Sequence, residues 1–250
     1  MTEPGPTARS KLPFILGAIG LTVLGALGGW TYERQRTELA PGQKAAMEQV
    51  VRDYLLEHPE ILPQAVEKLR QKDSQKQLAG ITDKLEAPYP GAVMGNPNGT
   101  VTLVEFTDFA CGYCRQSEAV LKDLIATNPD LKVVIRHLPV IAPTSPAAAA
   151  MGLAAAEQGK YLAFHDAMFA AGRTDPASIE AAAKAAGLDL ARARAAAQDP
   201  KVRAELEANM AFAQQLGFDG TPGWVIGDQI LVGAVGKEPL AKALAAARKS

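Results

Sequence analysis

Cysteine is nearly absent from this chain: among 250 residues only Cys111 and Cys114 occur. Most zinc sites that use a C-x-x-C pair draw on a second such pair or on paired histidines, whereas His58, His137 and His165 lie far apart in the sequence. A structural disulfide between cysteines this close would constrain the unfolded chain very little. Zinc and a static bridge remain alternatives, but the pattern favours a bond that forms and breaks, which is redox chemistry.

The chain also has no excess of charge of either sign, with a formal net charge of −1 and a sequence pI near 6.3. Aromatic residues make up only 6% of it, and no basic stripe with interleaved aromatic side chains occurs. Such stripes are typical of nucleic-acid-binding proteins, so we expect no nucleic-acid partner. Hydrophobic residues make up 48%, which is enough for a real core in one ordinary domain with appendages.

A long segment near the N-terminus contains no charged side chain. It covers residues 12–32 and is long enough to span a bilayer. Arg9 and Lys11 precede it, which favours an N-terminus on the inner side. We therefore predict a cytoplasmic tail at residues 1–11, followed by a single transmembrane anchor.

The competing interpretation of this segment is a cleaved signal peptide, because Ala26-Leu27-Gly28 resembles a small-x-small cleavage site. In both cases most of the chain is exported, which places the thiols in a compartment where disulfides persist. We predict a location in the inner (cytoplasmic) membrane, with one transmembrane pass and the catalytic domain in the periplasm.

Residues 33–87 are predicted to form a helical stalk. Met47, Val50 and Tyr54 recur at helical spacing in one apolar stripe, which His58-Pro59 interrupts. An amphipathic helix outside a compact domain needs a partner for its apolar face. Either the stalk packs back on its own domain, or it self-associates into a homo-oligomer.

Residues 88–250 are predicted to form the catalytic domain, which begins with a loop rich in proline and glycine up to residue 99. A strand before the cysteine pair, a helix after it and a second strand form a βαβ unit, for which a parallel sheet is expected. Residues from about 139 to 218 are almost wholly helical. The predicted strands are residues 101–106, 132–137, 224–226 and 229–232, the helix after the pair covers residues 116–126, and a last helix closes the chain.

The position of the cysteine pair indicates how it would react. If Cys114 begins the helix, the Cys111 sulfur lies at the N-terminus of that helix, where backbone N–H groups and the helix dipole stabilise a thiolate. The thiolate is the nucleophile of thiol–disulfide exchange. The sequence therefore predicts a dithiol centre with a reactive first sulfur.

With these elements the chain resembles the thioredoxin fold, and the helical block before the last two strands resembles the DsbA-type branch of exported thiol–disulfide oxidoreductases. The stalk segment from Asp53 to Glu60 is similar to the N-terminal region of Com1/ScsC-like members. The resemblance covers roughly Gln43 to Ser250. The fold class that it implies is α/β: a thioredoxin fold with an inserted helical domain, preceded by a transmembrane helix and a helical stalk.

The resemblance also implies roles for individual residues. Cys111 matches the exposed, attacking cysteine of the family and Cys114 the buried, resolving one. Pro222 matches the family's cis-proline beside the redox pair, and Thr221 would offer backbone groups to an extended substrate segment. Taken alone, a Thr-Pro dipeptide such as Thr221-Pro222 is far more commonly an ordinary trans turn.

Three further positions complete the candidate site. Glu105 lies six residues before Cys111, where the family often has a buried acid that relays a proton to or from the resolving cysteine. The alternative is a strand-edge glutamate that faces solvent. Gly112 and Tyr113, between the two cysteines, would tune the pair and contact substrate, and this Gly-Tyr pair resembles the exported disulfide isomerases.

The function implied is a protein thiol–disulfide oxidoreductase without cofactor or metal. Its partners would be exported proteins with thiols or disulfides, together with a membrane redox partner. Spacing alone does not decide between oxidation, isomerisation and reduction of substrates. The alternatives from other classes are a thiol-based copper-handling or chaperone module, since soft thiolates suit Cu(I), and a scaffold with an incidental disulfide.

Overall fold

The computed structural model of the chain describes residues 40–249. The chain divides into two compact units, the first of which ends at Val66, while the second begins at Glu67. The predicted tail and anchor, residues 1–32, lie outside the described residues. Within residues 40–249, no helix combines the length and the apolar character that crossing a membrane requires.

The first unit is helical. Helix α1 covers Pro41–Glu57, and helix α2, Ile61–Leu78, begins in this unit. The break between them falls at His58-Pro59, where the sequence predicts it, and the His58 amide closes α1 by donating to the carbonyl of Tyr54 at 2.9 Å. The apolar stripe of α1 is exposed along its length, with exposed fractions of 52–67% at Met47, Val50, Val51 and Tyr54.

The second unit is built on a mixed five-stranded sheet. In chain order the strands are β1 (Val93–Gly95), β2 (Val101–Thr107), β3 (Leu131–His137), β4 (Gly223–Ile226) and β5 (Gln229–Val232), and their spatial order is β1-β3-β2-β4-β5. Strands β2 and β3 are parallel, from Val101 opposite Leu131 to Thr107 opposite His137, and the other pairs are antiparallel. The predicted βαβ unit is thus confirmed, with helix α4 (Gly112–Thr127) as its crossover.

Helices fill the chain between the third and fourth strands, as the thioredoxin-like resemblance implies. They are α5 (Ser145–Ala156), α6 (Tyr161–Ala171), α7 (Pro176–Ala185), α8 (Leu190–Ala197) and α9 (Pro200–Gln215); the short α3 (Thr82–Glu86) precedes the sheet, and α10 (Lys237–Ala247) follows it. Asp175, Asp189 and Asp199 begin α7, α8 and α9 by accepting backbone N–H groups of the first turn. Such caps mark helix starts, because the carboxylate satisfies N–H groups that have no partner within the helix.

The two faces of the sheet bury different cores. Because strand side chains alternate, Leu103 and Trp224 lie on one face with Leu121 of α4 and Leu244 of α10. The opposite face carries a second cluster, which contains Leu78, Leu85, Val104, Phe106, Val134, Leu216 and Phe218. Helices α5–α8 enclose a third cluster, and this third cluster includes both cysteines. The cysteine pair therefore lies where the inserted helices meet the sheet.

Two differences from the prediction concern the start of this unit. Residues 93–95, predicted as loop, form the edge strand β1, which is too short for any alternating pattern to reveal. The compact unit begins at Glu67 rather than at residue 88. The polar stretch before α3 docks through hydrogen bonds instead of apolar contacts: Gln71 and Gln75 both donate to the Asp228 carboxylate, at 2.8 and 2.9 Å.

Candidate functional site

The redox pair occupies the start of α4. Cys111 is the N-cap residue, and its sulfur accepts a hydrogen bond from the backbone N–H of Cys114 at 3.4 Å. The helix begins at Gly112, earlier than the predicted start at Gln116. Both cysteines are free thiols. The first sulfur thus lies at a helix N-terminus, which is the position where backbone N–H groups stabilise a thiolate.

Cys111 is more covered than the resemblance implies. Its side chain is 5% exposed and that of Cys114 is fully buried. The cover comes from the segment before β4, because the Cys111 thiol donates to the carbonyl oxygen of Thr221 at 3.2 Å. Tyr113, by contrast, is 66% exposed. Between the two cysteines the chain therefore presents an aromatic side chain to solvent, directly beside the covered sulfur.

The Thr221-Pro222 peptide bond is cis, the geometry that the resemblance implies. The segment is fixed from behind, since the Pro222 carbonyl accepts from the backbone N–H of Gly233 after β5 at 2.8 Å. The hairpin β4–β5 thus holds Thr221 against the Cys111 sulfur. The structure thus brings the pair Cys111 and Cys114 together with Thr221 and Pro222, which follow it by about a hundred residues in sequence.

Glu105 is fully buried in the middle of β2, which excludes the solvent-facing alternative. It lies on the same face as Leu103, toward α4. Burial raises the pKa of the Glu105 carboxyl well above its ordinary value, and the charge of Glu118 adds to the increase. Burial also raises the pKa of the Cys114 thiol, with the Glu105 charge as the second cause. Burial therefore favours the neutral, protonated form of both groups.

Asp108 ties two loops together beside the pair. Its Oδ1 accepts from Ala110 N–H at 2.8 Å, and its Oδ2 accepts from the N–H groups of Val140 and Ile141, both at 2.9 Å. Its backbone carbonyl accepts from Cys111 N–H at 2.9 Å. The sequence does not predict the link from Asp108 to residues 140–141, because nothing local marks a partner so distant.

Sequence reasoning also missed a charged cluster behind the pair. Glu118, His165 and Asp166 have ligand-type atoms within 4.8 Å of one another. The Lys122 ammonium already lies 2.8 Å from the Asp166 carboxylate and supplies the cation, so we assign no metal to these residues. His137 is also buried; burial lowers its pKa to about 3, and the Tyr161 hydroxyl lies 3.1 Å from its Nε2.

Two family models match the chain. Residues 102–245 match the DSBA-like thioredoxin domain, and residues 43–76 match the copper resistance protein ScsC N-terminal domain. Among curated proteins, the Na(+)/H(+) antiporter NhaA 1 of Salinispora arenicola is 30% identical over 158 residues, covering 62% of this chain and 24% of that protein. The chain spans about a quarter of the length of the curated relatives it matches.

Solved structures of similar fold come from several bacteria. A thioredoxin-like oxidoreductase from Silicibacter pomeroyi has 38% identity and a TM-score of 0.65, covering 67% of this chain and 98% of its own. The catalytic domain of Proteus mirabilis ScsC has 28% identity and a TM-score of 0.62, with coverages of 70% and 99%. The thiol-disulfide exchange protein alpha-DsbA2 from Wolbachia pipientis has 26% identity and a TM-score of 0.65, with coverages of 71% and 97%. Because the model of the DSBA-like thioredoxin domain matches more than half of its length, this chain belongs to the DsbA-like thioredoxin family.

Proposed function

We propose that this protein is a thiol–disulfide oxidoreductase that exchanges disulfides with exported proteins through Cys111 and Cys114. The observation that carries the proposal is the position of the Cys111 sulfur. It lies between the backbone N–H of Cys114, in the first turn of α4, and the carbonyl of Thr221, the residue before the cis-proline. A helix N-terminus favours an anionic sulfur, and the Thr221 backbone lies directly beside that sulfur.

The exchange reaction follows from these positions. The Cys111 thiolate attacks one sulfur of a substrate disulfide, the substrate S–S bond breaks, and the second substrate sulfur leaves as a thiolate. The Cys114 thiol then passes its proton to the Glu105 carboxylate and attacks Cys111, which releases the substrate and leaves the Cys111–Cys114 disulfide. The reverse sequence introduces a disulfide into a substrate. Glu105 is suited to the proton step because it is enclosed with Cys114 and has a raised pKa.

The substrate segment is proposed to lie along Thr221 and Pro222. An extended peptide can bind through backbone hydrogen bonds, and the Thr221 carbonyl, which accepts from the Cys111 thiol in this structure, is the proposed partner beside the attacking sulfur. Gly112 leaves room at the start of α4, since a Cβ there would meet no atom within 4 Å. Tyr113 offers an exposed aromatic face to the same substrate.

We further propose that the protein is anchored in the inner membrane by residues 12–32, with residues 33–250 in the periplasm. The uncharged run and the preceding basic residues support this assignment. An exported dithiol enzyme needs its pair reoxidised or rereduced after each turnover, so a membrane redox partner belongs to the proposal.

The experiment that tests the function is an equilibrium titration of the pair in glutathione redox buffers. We expect one two-electron transition between two free thiols and a Cys111–Cys114 disulfide, read by alkylation and mass spectrometry. An oxidising potential supports formation of substrate disulfides, whereas a reducing one supports the isomerase or reductase direction. Absence of the transition, or a stoichiometric tightly bound copper ion on the reduced thiols, would instead favour the metal-handling function that the match to a copper resistance protein domain suggests.

The exposed stripe of α1 supports self-association of the stalk. Met47, Val50, Val51 and Tyr54 recur at i, i+3, i+4 and i+7, which places them on one face, and each is more than half exposed. We expect the chain to form a homo-oligomer in light scattering, and the double variant Val50→Lys/Tyr54→Lys to be monomeric. Gln49→Lys, on the opposite face of α1, should leave the mass unchanged. A monomeric wild type, or a double variant of unchanged mass, would refute the stalk interface.

A further inference from the structure

A chain of titratable side chains leads from the redox pair to the surface, and the proposed exchange reaction does not use it. Glu118 follows Cys114 by one turn of α4 and is 7% exposed. Its Oε2 lies 3.5 Å from Nδ1 of His165, a fully buried residue of α6. The same Nδ1 lies 3.8 Å from Asp166 Oδ1, which pairs with Lys122 at 2.8 Å. Asp166 and Lys122 reach solvent, because their side chains are 44% and 50% exposed.

The two buried acids of this region have different surroundings. Burial raises the pKa of Glu118, but His165 and Lys122 oppose that increase. Burial also raises the pKa of Glu105, and there the Glu118 charge increases it further. When the surroundings of two interacting acids separate their pKa values in this way, the acid with the lower pKa holds the negative charge and the other holds the proton.

We propose that Glu118 is a positioning residue of the exchange reaction: as the carboxylate of the two acids, it keeps the shared proton on Glu105, next to the Cys114 sulfur. The inference rests on the proposed function and adds to it the group that sets the proton affinity of Glu105. Glu118 acts through Glu105 and is not assigned any contact with substrate.

When a substrate is oxidised, each electron pair and the proton have a defined destination. A substrate thiolate attacks the Cys111 sulfur, the bond to Cys114 breaks, and the Cys114 sulfur takes the electron pair. Glu105 donates its proton to that sulfur and becomes a carboxylate. In the resolving direction the Glu105 carboxylate removes the proton from Cys114. The Glu118 charge favours the protonated form of Glu105, so it favours opening of the enzyme disulfide over its formation.

The remaining titratable neighbours do not change this assignment. Tyr161 of α6 and His137 of β3 lie in the same region. Both stay neutral at neutral pH, because burial raises the pKa of Tyr161 and lowers that of His137 to about 3. The titratable groups that face Glu118 are then His165, Asp166 and Lys122, with Glu105 from β2 and Cys114 on its own helix.

The test is the pH dependence of the resolving step. Oxidised glutathione loads Cys111 as a mixed disulfide, and acid quenching with mass spectrometry follows the release of glutathione by Cys114. Because release needs the Glu105 carboxylate, its rate falls on the acid side as Glu105 takes up a proton. Glu118→Gln removes a negative charge and lowers the proton affinity of Glu105. We expect this fall in rate, the acid limb of the pH profile, to move to lower pH. On that limb the variant should therefore release glutathione several-fold faster than wild type.

Two controls separate this effect from a structural one. Glu180→Gln removes a surface carboxylate that pairs with Lys184 and Arg194, and it should leave the limb in place. In a Glu105→Gln background, Glu118→Gln should produce no further shift, because the double-mutant cycle isolates the coupling between the two acids. An unmoved limb, or the same shift without Glu105, overturns the proposal.

Two further measurements test the proposal if the Glu118 variant fails to fold. His165→Gln removes a partner that opposes protonation of Glu118, so it should shift the limb in the same direction. Isotope-edited infrared spectra of the wild type should show Glu105 losing its proton at higher pH than Glu118, and the reverse order would contradict the assignment. If wild type neither forms nor resolves the mixed disulfide, the proposed function itself fails; a working wild type with an unmoved limb removes only the role of Glu118.

Discussion

Substituting serine for Cys111 is expected to reduce disulfide exchange by about 10³-fold or more, because it removes the sulfur proposed as the nucleophile of a covalent mechanism. The substituted hydroxyl would lie at the same helix N-terminus but is far less acidic than a thiol. The measurement is reduction of insulin by dithiothreitol, in which the wild type accelerates precipitation of the freed chains. The Cys111→Ser protein should match the uncatalysed rate.

A substitution in the same helix provides the control for this loss. Ser117→Ala removes a hydroxyl that donates to the Tyr113 carbonyl at 3.0 Å and leaves both sulfurs in place. Its activity should stay close to that of the wild type. A Cys111→Ser protein as active as the Ser117→Ala protein would show that insulin is reduced elsewhere on the molecule.

Substitution of Arg136 by methionine is expected to lower the free energy of unfolding by about 3–5 kcal/mol, the usual loss when one partner of a buried ion pair is removed. The side chain is 3% exposed, and its Nη1 lies 2.6 Å from the Glu205 carboxylate. The same guanidinium also donates to Asn209 and to the carbonyls of Lys84, Leu85 and Ala87. Without it, three carbonyls and a carboxylate lose their partner at the junction of α3, β3 and α9.

Denaturant unfolding monitored by circular dichroism measures this loss. Arg248→Met is the matched control, because Arg248 pairs with Asp130 near the surface and such pairs contribute little to stability. We expect the Arg136 variant to unfold at clearly lower denaturant than the control. Equal midpoints would show that α3 does not depend on the guanidinium for its attachment to the sheet.

The parts of this molecule that the sequence predicts are those with local causes. The cysteine spacing and the break at His58-Pro59 each act within a few residues of their own position. Strand β2 was also predictable, although the alternation of its apolar side chains did not show which way Glu105 faces. That orientation depends on α4 covering the face.

The features that the sequence did not predict are polar contacts between residues far apart in the chain. Arg136 binds carbonyls about fifty residues earlier, Asp108 binds N–H groups about thirty residues later, and Glu118 meets His165 across two helices. No periodicity records such pairs, since each partner alone looks like an ordinary surface residue. The cover over Cys111 has the same origin, because it comes from a segment more than a hundred residues away.

The most direct test of the account is covalent capture of a substrate by each single-serine variant. Cys114→Ser keeps the sulfur proposed to attack and lacks the one proposed to resolve, so it should accumulate a mixed disulfide with a substrate protein, visible by intact mass. Cys111→Ser keeps only the fully buried sulfur and should capture none. Equal capture by both variants, or capture by Cys111→Ser alone, would contradict the assignment of Cys111 as the sulfur that substrates meet.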